Sequence, residues 1–203
     1  MTSMTAFAAN DTLATAKELF WRNGFEDTSV AELVEATGLN RYAIYSAYGG
    51  KLEIFLAALE AYYTERRDLF FKVFSDPKRG PIDAIRAVSE YCIKEITDRG
   101  AGCLMCNVAV EVGRRNDVVA ARVNSYLQDI RNAKEMALTL AAERGELNPA
   151  ITPKDGASLL LTNMLGGGVL ARNGASRKEL LESFNACIAI LTSASSGRNA
   201  LKH

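Results

Sequence analysis

The sequence predicts an all-α protein of about nine helices: a three-helix N-terminal head carrying a helix-turn-helix, then a helical body. Two observations predict the class. Apolar residues recur at i, i+3, i+4 along nearly the whole chain, and the breaks fall at Gly, Pro and Asn clusters rather than at hairpin signals. A third predicts the head. Residues 28–51, TSVAELVEATGLNRYAIYSAYGGK, read as two short helices joined by a glycine-containing turn, with a second helix of the size that enters a DNA major groove.

Each element follows from its residues. Residues 1–9 are expected to be frayed, with Asn10 or Asp11 capping a helix that runs to about Asn23 and buries Leu13, Ala16, Leu19 and Phe20. Ser29 with Glu32 makes a capping box, Val30, Leu33 and Val34 form the buried stripe, and Gly38 ends that helix. Asn40 caps the next, whose buried face is expected to be Ala43 and Ile44, with Ala47 at its edge. A longer helix from Lys51 reaches Phe74, and Ser75–Pro81 is a loop with two prolines. Helices then cover 82–98, 103–112 and 117–143, the last with Val119, Val123, Tyr126, Leu127, Ile130, Ala133, Ala137, Leu138 and Ala141 inward. The final pair covers 154–172, apolar nearly all round, and 177–194, opened by a Ser176/Glu179 capping box. The tail after Ser193 is expected to be disordered. The domain division is 1–50 for the helix-turn-helix head and 51–203 for the helical body.

Composition narrows the function. Lys+Arg and Asp+Glu are both 24, so no global charge argument for a partner exists. No apolar run has the ~18 to 20 residues of a membrane span, and residues 1–9 carry no Lys or Arg and make no signal peptide. A cytoplasmic protein without membrane partners is expected. Four cysteines do not make a disulfide scaffold. The one histidine, His203, is terminal; with no phosphate-binding glycine loop and no strand-borne nucleophile, an enzyme is not expected, nor is a metal or cofactor.

Residues 10–55 resemble the N-terminal domain of the TetR family of bacterial transcription regulators. The resemblance is carried by Leu19-Phe20, Gly24-Phe25, Thr28-Ser29-Val30, Ala36-Thr37-Gly38-Leu39, Ile44-Tyr45, Tyr48 and Lys51, in register. It implies a homodimer, a double-stranded DNA operator and a helical body that takes a small-molecule effector. Tyr42 and Ala47 depart from the family pattern.

The head holds four bases and seven acids up to Phe55, a net charge of −3, yet no acid lies between Glu35 and Glu53, where Arg41 and Lys51 fall. Position on the second helix directs Arg41, Tyr42 and Ser46 toward base edges, with Asn40 reading a base or capping. The resemblance assigns Tyr45, Tyr48 and Lys51 to phosphate, together with Thr28 and Ser29, whose helix N-terminus offers backbone N–H groups.

In the body, Cys103 and Cys106 of GCLMC share one helical face. They read either as buried apolar residues, the preferred reading, or as a thiol sensor of oxidants or electrophiles, the alternative function. Cys92 and Cys187 read as core. Tyr62, Tyr91 and Tyr126 are candidates to border an effector pocket among helices 82–170. Gly166-Gly167-Gly168, which cost roughly 1 kcal/mol each in mid-helix, read as a close approach to a symmetry-related helix in preference to a kink over a pocket. With Leu161, Leu165, Leu180, Phe184 and Ile188 they form the candidate dimer surface, a four-helix bundle. The function expected is an effector-responsive regulator, a repressor that binds a pseudo-palindrome as a homodimer and is released by its ligand.

Overall fold

The computed structural model describes residues 2–113 and 115–192, with side chains from Asp11 onward. The expected disordered tail and His203 lie outside the described residues. Among these the chain forms nine helices and no strand: α1 (Thr2–Asn23), α2 (Val30–Thr37), α3 (Arg41–Tyr48), α4 (Lys51–Phe74), α5 (Pro81–Arg99), α6 (Leu104–Glu111), α7 (Asp117–Glu143), α8 (Pro153–Arg172) and α9 (Arg177–Thr192). The first helix begins at Thr2, so Asn10 and Asp11 lie inside it rather than at its cap. Ala, Met and Phe fill the preceding turns, and none of these residues breaks a helix.

Packing divides the chain into two compact units. Among the described residues, the first comprises those up to 68 and within 104–124, the second 69–103 and those from 125 onward. In the first unit Phe20, Leu33, Ile44, Ile54, Phe55 and Leu59 are buried. Phe55 meets Phe20 edge-on at 4.9 Å and Phe25 at 4.7 Å. From α6 and the start of α7 come Leu104, Met105, Val108, Val119 and Val123, also buried. Two ion pairs join helices here: Lys17 to Glu65 at 2.6 Å and Arg122 to Glu60 at 2.7 Å.

The second unit is built around Ile85 of α5, Leu138 and Ala141 of α7, Leu160 of α8, and Phe184, Ile188 and Leu191 of α9. A Cβ added at Gly156 would lie 2.9 Å from Leu138 Cδ1 and 3.1 Å from Leu191 Cδ2, so α8 packs closely there and a larger residue would require those leucine side chains to shift. Gly102 is tighter still: it has φ +67°, and a Cβ on it would stand 2.5 Å from the Gly168 carbonyl oxygen. The Gly100–Gly102 loop thus lies against the α8 backbone at Gly168.

Candidate functional site

The helix-turn-helix is built from local signals. Ser29 Oγ accepts from the Glu32 amide at 3.1 Å, and Glu32 Oε2 accepts from the Ser29 amide at 2.7 Å, the reciprocal capping box. These bonds from the Ser29 amide and hydroxyl, aided by Lys51, hold the Glu32 carboxyl below its ordinary range. Because the box consumes the Ser29 amide, the first-turn N–H groups left for an anion are those of Val30 and Ala31. Asn40 is the N-cap of α3, its Oδ1 accepting from the Ala43 amide at 2.8 Å. Ile44 is fully buried and anchors α3. The opposite face presents Arg41, Ser46 and Ala47, all exposed, with Tyr42 81% and Tyr45 46% exposed.

Two predicted contacts have other partners in the structure, and a third is partly withdrawn from solvent. Thr28 is completely buried and its hydroxyl donates to the Gly24 carbonyl at 2.6 Å, so it latches the α1–α2 turn and offers nothing to a phosphate. Lys51 Nζ donates to the Glu26 carbonyl at 3.2 Å and lies 4.5 Å over the Phe25 ring. Tyr48 is half-buried, and burial raises its phenol above the ordinary value.

One residue in this assembly gave no sequence signal. Glu111, at the end of α6, accepts the Phe25 amide at 3.1 Å and the Glu26 amide at 2.7 Å. Its carboxylate occupies the space where a Cβ of Gly24 would be: that atom would lie 2.7 Å from Oε2, and Gly24 has φ +90°. The turn that delivers α2 is thus pinned by a side chain remote in sequence.

The second unit contains a cavity of 140 Å³ between α5, α7, α8 and α9. Its walls include Ile93, Ile96, Leu160, Met164 and Phe184, together with Cys92, Lys134, Asn163 and Ser183. Gly166 and Gly167 also line it, and α8 continues through them unbroken. Lys134 is 5% exposed, and burial pushes its ammonium down to about 8 while the neighbouring Cys92 opposes the shift. Tyr62, Tyr91 and Tyr126 do not line this cavity. Tyr62 packs edge-on against Trp21 at 5.2 Å in the first unit, Tyr126 is buried, and Tyr91 is about half exposed. Cys103 and Cys106 are buried, 7% and 6% exposed, and neither lines the cavity. Cys92, read as core, stands on its wall.

The candidate dimer residues also need correction. Leu161, Leu180, Phe184 and Ile188 are buried within the single chain, and Phe184 and Ile188 belong to its core. Leu165 is half-buried and Gly168 buried. The apolar positions that α8 and α9 leave exposed are instead Leu159, Val169 and Leu170, and Ala186, Ala189 and Ile190. Gly166 is exposed with nothing within 4 Å of an added Cβ.

Comparison with known proteins agrees with this architecture. A family model described as "Bacterial regulatory proteins, tetR family" matches residues 13–58, and one described as "Tetracyclin repressor-like, C-terminal domain" matches 81–187. The HTH-type transcriptional repressor ComR of Escherichia coli is 27% identical over 180 residues, covering 87% of this chain and 85% of ComR. The reduced form of E. coli NemR superposes with a TM-score of 0.79 at 19% identity, covering 93% of this chain and 99% of that one. A cysteine mutant of the regulator CifR, complexed with 26-bp double-strand operator DNA, does so at 0.77 and 20% identity, covering 87% and 93%. With both halves matched in order, a helix-turn-helix head and a helical body, the chain belongs to the tetR family of bacterial regulatory proteins and is a transcription regulator rather than an enzyme.

Proposed function

We propose that the chain is a repressor that binds a pseudo-palindromic operator as a homodimer in the cytoplasm and is released when a small molecule enters the cavity of its body. The observation that carries the DNA reading is α3. It is held by Ile44 from below, and it exposes Arg41, Tyr42, Tyr45 and Ser46 on a stretch without an acid from Ala36 to Leu52. Arg41 is the candidate for base readout, and Tyr45 with the Val30 and Ala31 amides for phosphate. Two heads would dock in successive major grooves about one helical turn apart. The exposed apolar stripe of α8 and α9 supports the dimer, and its glycine at position 166 leaves room for a partner helix. Effector release requires that the ligand bind the two head spacings unequally.

The test is a mobility-shift assay on DNA flanking the protein's own gene, followed by random-site selection. Sequence-selective binding that weakens steeply with salt is expected; its absence from both overturns the proposal. A thiol sensor at Cys103 or Cys106 stands second, since burial of both sulfurs restricts reagent access. Peroxide treatment that abolishes operator binding in the wild type, but not in Cys103→Ser or Cys106→Ser, would reverse that order.

A further inference from the structure

A lysine removed from water ordinarily brings a carboxylate with it or surrenders its proton. Lys134 sits on the wall of the body's cavity with 5% of its surface exposed. Among the described residues, no Asp, Glu, Arg or His lines that cavity; the titratable groups facing it from its four helices are Lys134 of α7 and Cys92 of α5. From α8 and α9 come apolar residues and two neutral polar ones, Asn163 and Ser183, which bond to each other at 2.8 Å. The site is therefore an apolar chamber with a single cation and no carboxylate to match it.

We propose that this cavity receives a small apolar monocarboxylate, whose charged group pairs with Lys134 Nζ while its hydrocarbon part fills the space between Ile93, Leu160 and Phe184. The inference deepens the reading of the body as effector-binding and rests on it. One cation, with only the neutral groups of Ser89, Asn163 and Ser183 beside it, matches a monoanion better than a phosphate, which calls for several charged donors. The volume, 140 Å³, is that of a dry cavity that takes a benzene-sized molecule, about 150 Å³. Binding such an anion supplies a counter-charge that the cavity's own lining lacks, and it moves the ammonium, lowered to about 8, back toward its ordinary value.

The experiment is calorimetric titration of the full-length protein with benzoate and with its neutral analogue benzamide. Near pH 7 benzoate should bind at least tenfold more tightly. Near pH 9.5 that preference should collapse, because the free ammonium has lost its proton and the anion must first recapture one. Cys92→Ser should keep the pH dependence, which assigns it to Lys134 rather than to the thiol. Lys134→Met, which replaces the amine with an apolar chain of similar length, should remove the preference at every pH. Equal affinities near pH 7, a preference that survives in Lys134→Met, or no binding of benzoate at millimolar concentration overturns the proposal; the wild-type pH comparison stands even if a variant fails to fold. Operator binding is measured on the same samples. Its absence would sink the regulator reading and leave the carboxylate site standing, whereas parity of the two probes with intact operator binding sinks this inference alone.

Discussion

Glu111 grips the backbone of Glu26: one carboxylate oxygen accepts the Glu26 amide at 2.7 Å while the other accepts Phe25 at 3.1 Å. The pair sets the entry to α2 through backbone groups, beside the packing of the Phe25 ring against Phe20 and Phe55. Glu111→Ala should leave two amides short of an acceptor and destabilise the head by about 1–3 kcal/mol. Chemical denaturation reads the loss. The same variant should bind operator more weakly at every sequence, because the presentation of α2 and α3 is loosened while the base-reading side chains stay intact.

Arg41→Ala should instead relax selectivity at a single base pair, by ~1–3 kcal/mol, with fold stability unchanged because the side chain is exposed. Selection profiles of wild type and variant check this. A uniform loss across sequences would assign Arg41 to phosphate.

Ile190→Glu distinguishes the exposed stripe from the core beside it. Ile190 is 54% exposed in the single chain, so the substitution should leave far-UV helicity intact and convert dimer to monomer in sedimentation. Ile188→Glu, two residues earlier at a position of 0% exposure, should unfold the second unit. Unchanged dimerisation in Ile190→Glu would move the interface elsewhere.

Gly102→Ala should be severe for two independent reasons. Its φ of +67° disfavours a side chain, and the added carbon would stand 2.5 Å from the Gly168 oxygen. A loss of about 2 kcal/mol or more is expected, set against a change of at most ~1 kcal/mol, in the stabilising direction, for Gly166→Ala in the isolated subunit, where nothing lies in the way. Thermal melts of the two variants at low protein concentration make the comparison.

Lys134 predicts how stability depends on pH. Its folded value of about 8 lies below the ordinary 10.5. Below pH 8 the amine is charged in both states, and folding carries the whole burial penalty. Between about 8 and 10.5 the unfolded chain binds more protons than the folded one, so this residue's contribution to stability rises with pH, by up to about 3 kcal/mol in total. Lys134→Met should therefore be more stable than wild type near pH 7 by a similar order, and the difference should vanish toward pH 10.5. Denaturation midpoints across that range check it.

Much of this was legible in the sequence because it is local. The bounds of α4 and α7, the Ser29/Glu32 box and the cap at Asn40 follow from residues within one turn of each other. The functional parts that escaped are long-range. Thr28 carries the same side chain whether it faces a phosphate or the Gly24 carbonyl, and only the fold decides. Glu111 stands 85 residues from its partner Glu26, and no local pattern connects the two. Lys134 did leave a trace: it stands four residues after Ile130 and three before Ala137, on the inward stripe of α7, where its neighbour Ala133 was the expected core residue and is only half-buried. Leu161, Phe184 and Ile188 are on apolar faces as periodicity indicates, but periodicity does not distinguish a chain's own core from the surface it offers to a copy of itself.

The grip of Glu111 on the α1–α2 turn also bears on how such a chain can change over evolutionary time. Phe25 and Glu26 are bound through their amides, so substitutions there preserve both bonds. Gly24 and Glu111 have no such latitude. Any side chain at 24 meets the carboxylate, and any shorter residue at 111 abandons the turn. The two positions, remote in sequence, should vary together or not at all, and a segment exchange between homologues that parts them should yield a head that folds poorly even when each half comes from a working regulator.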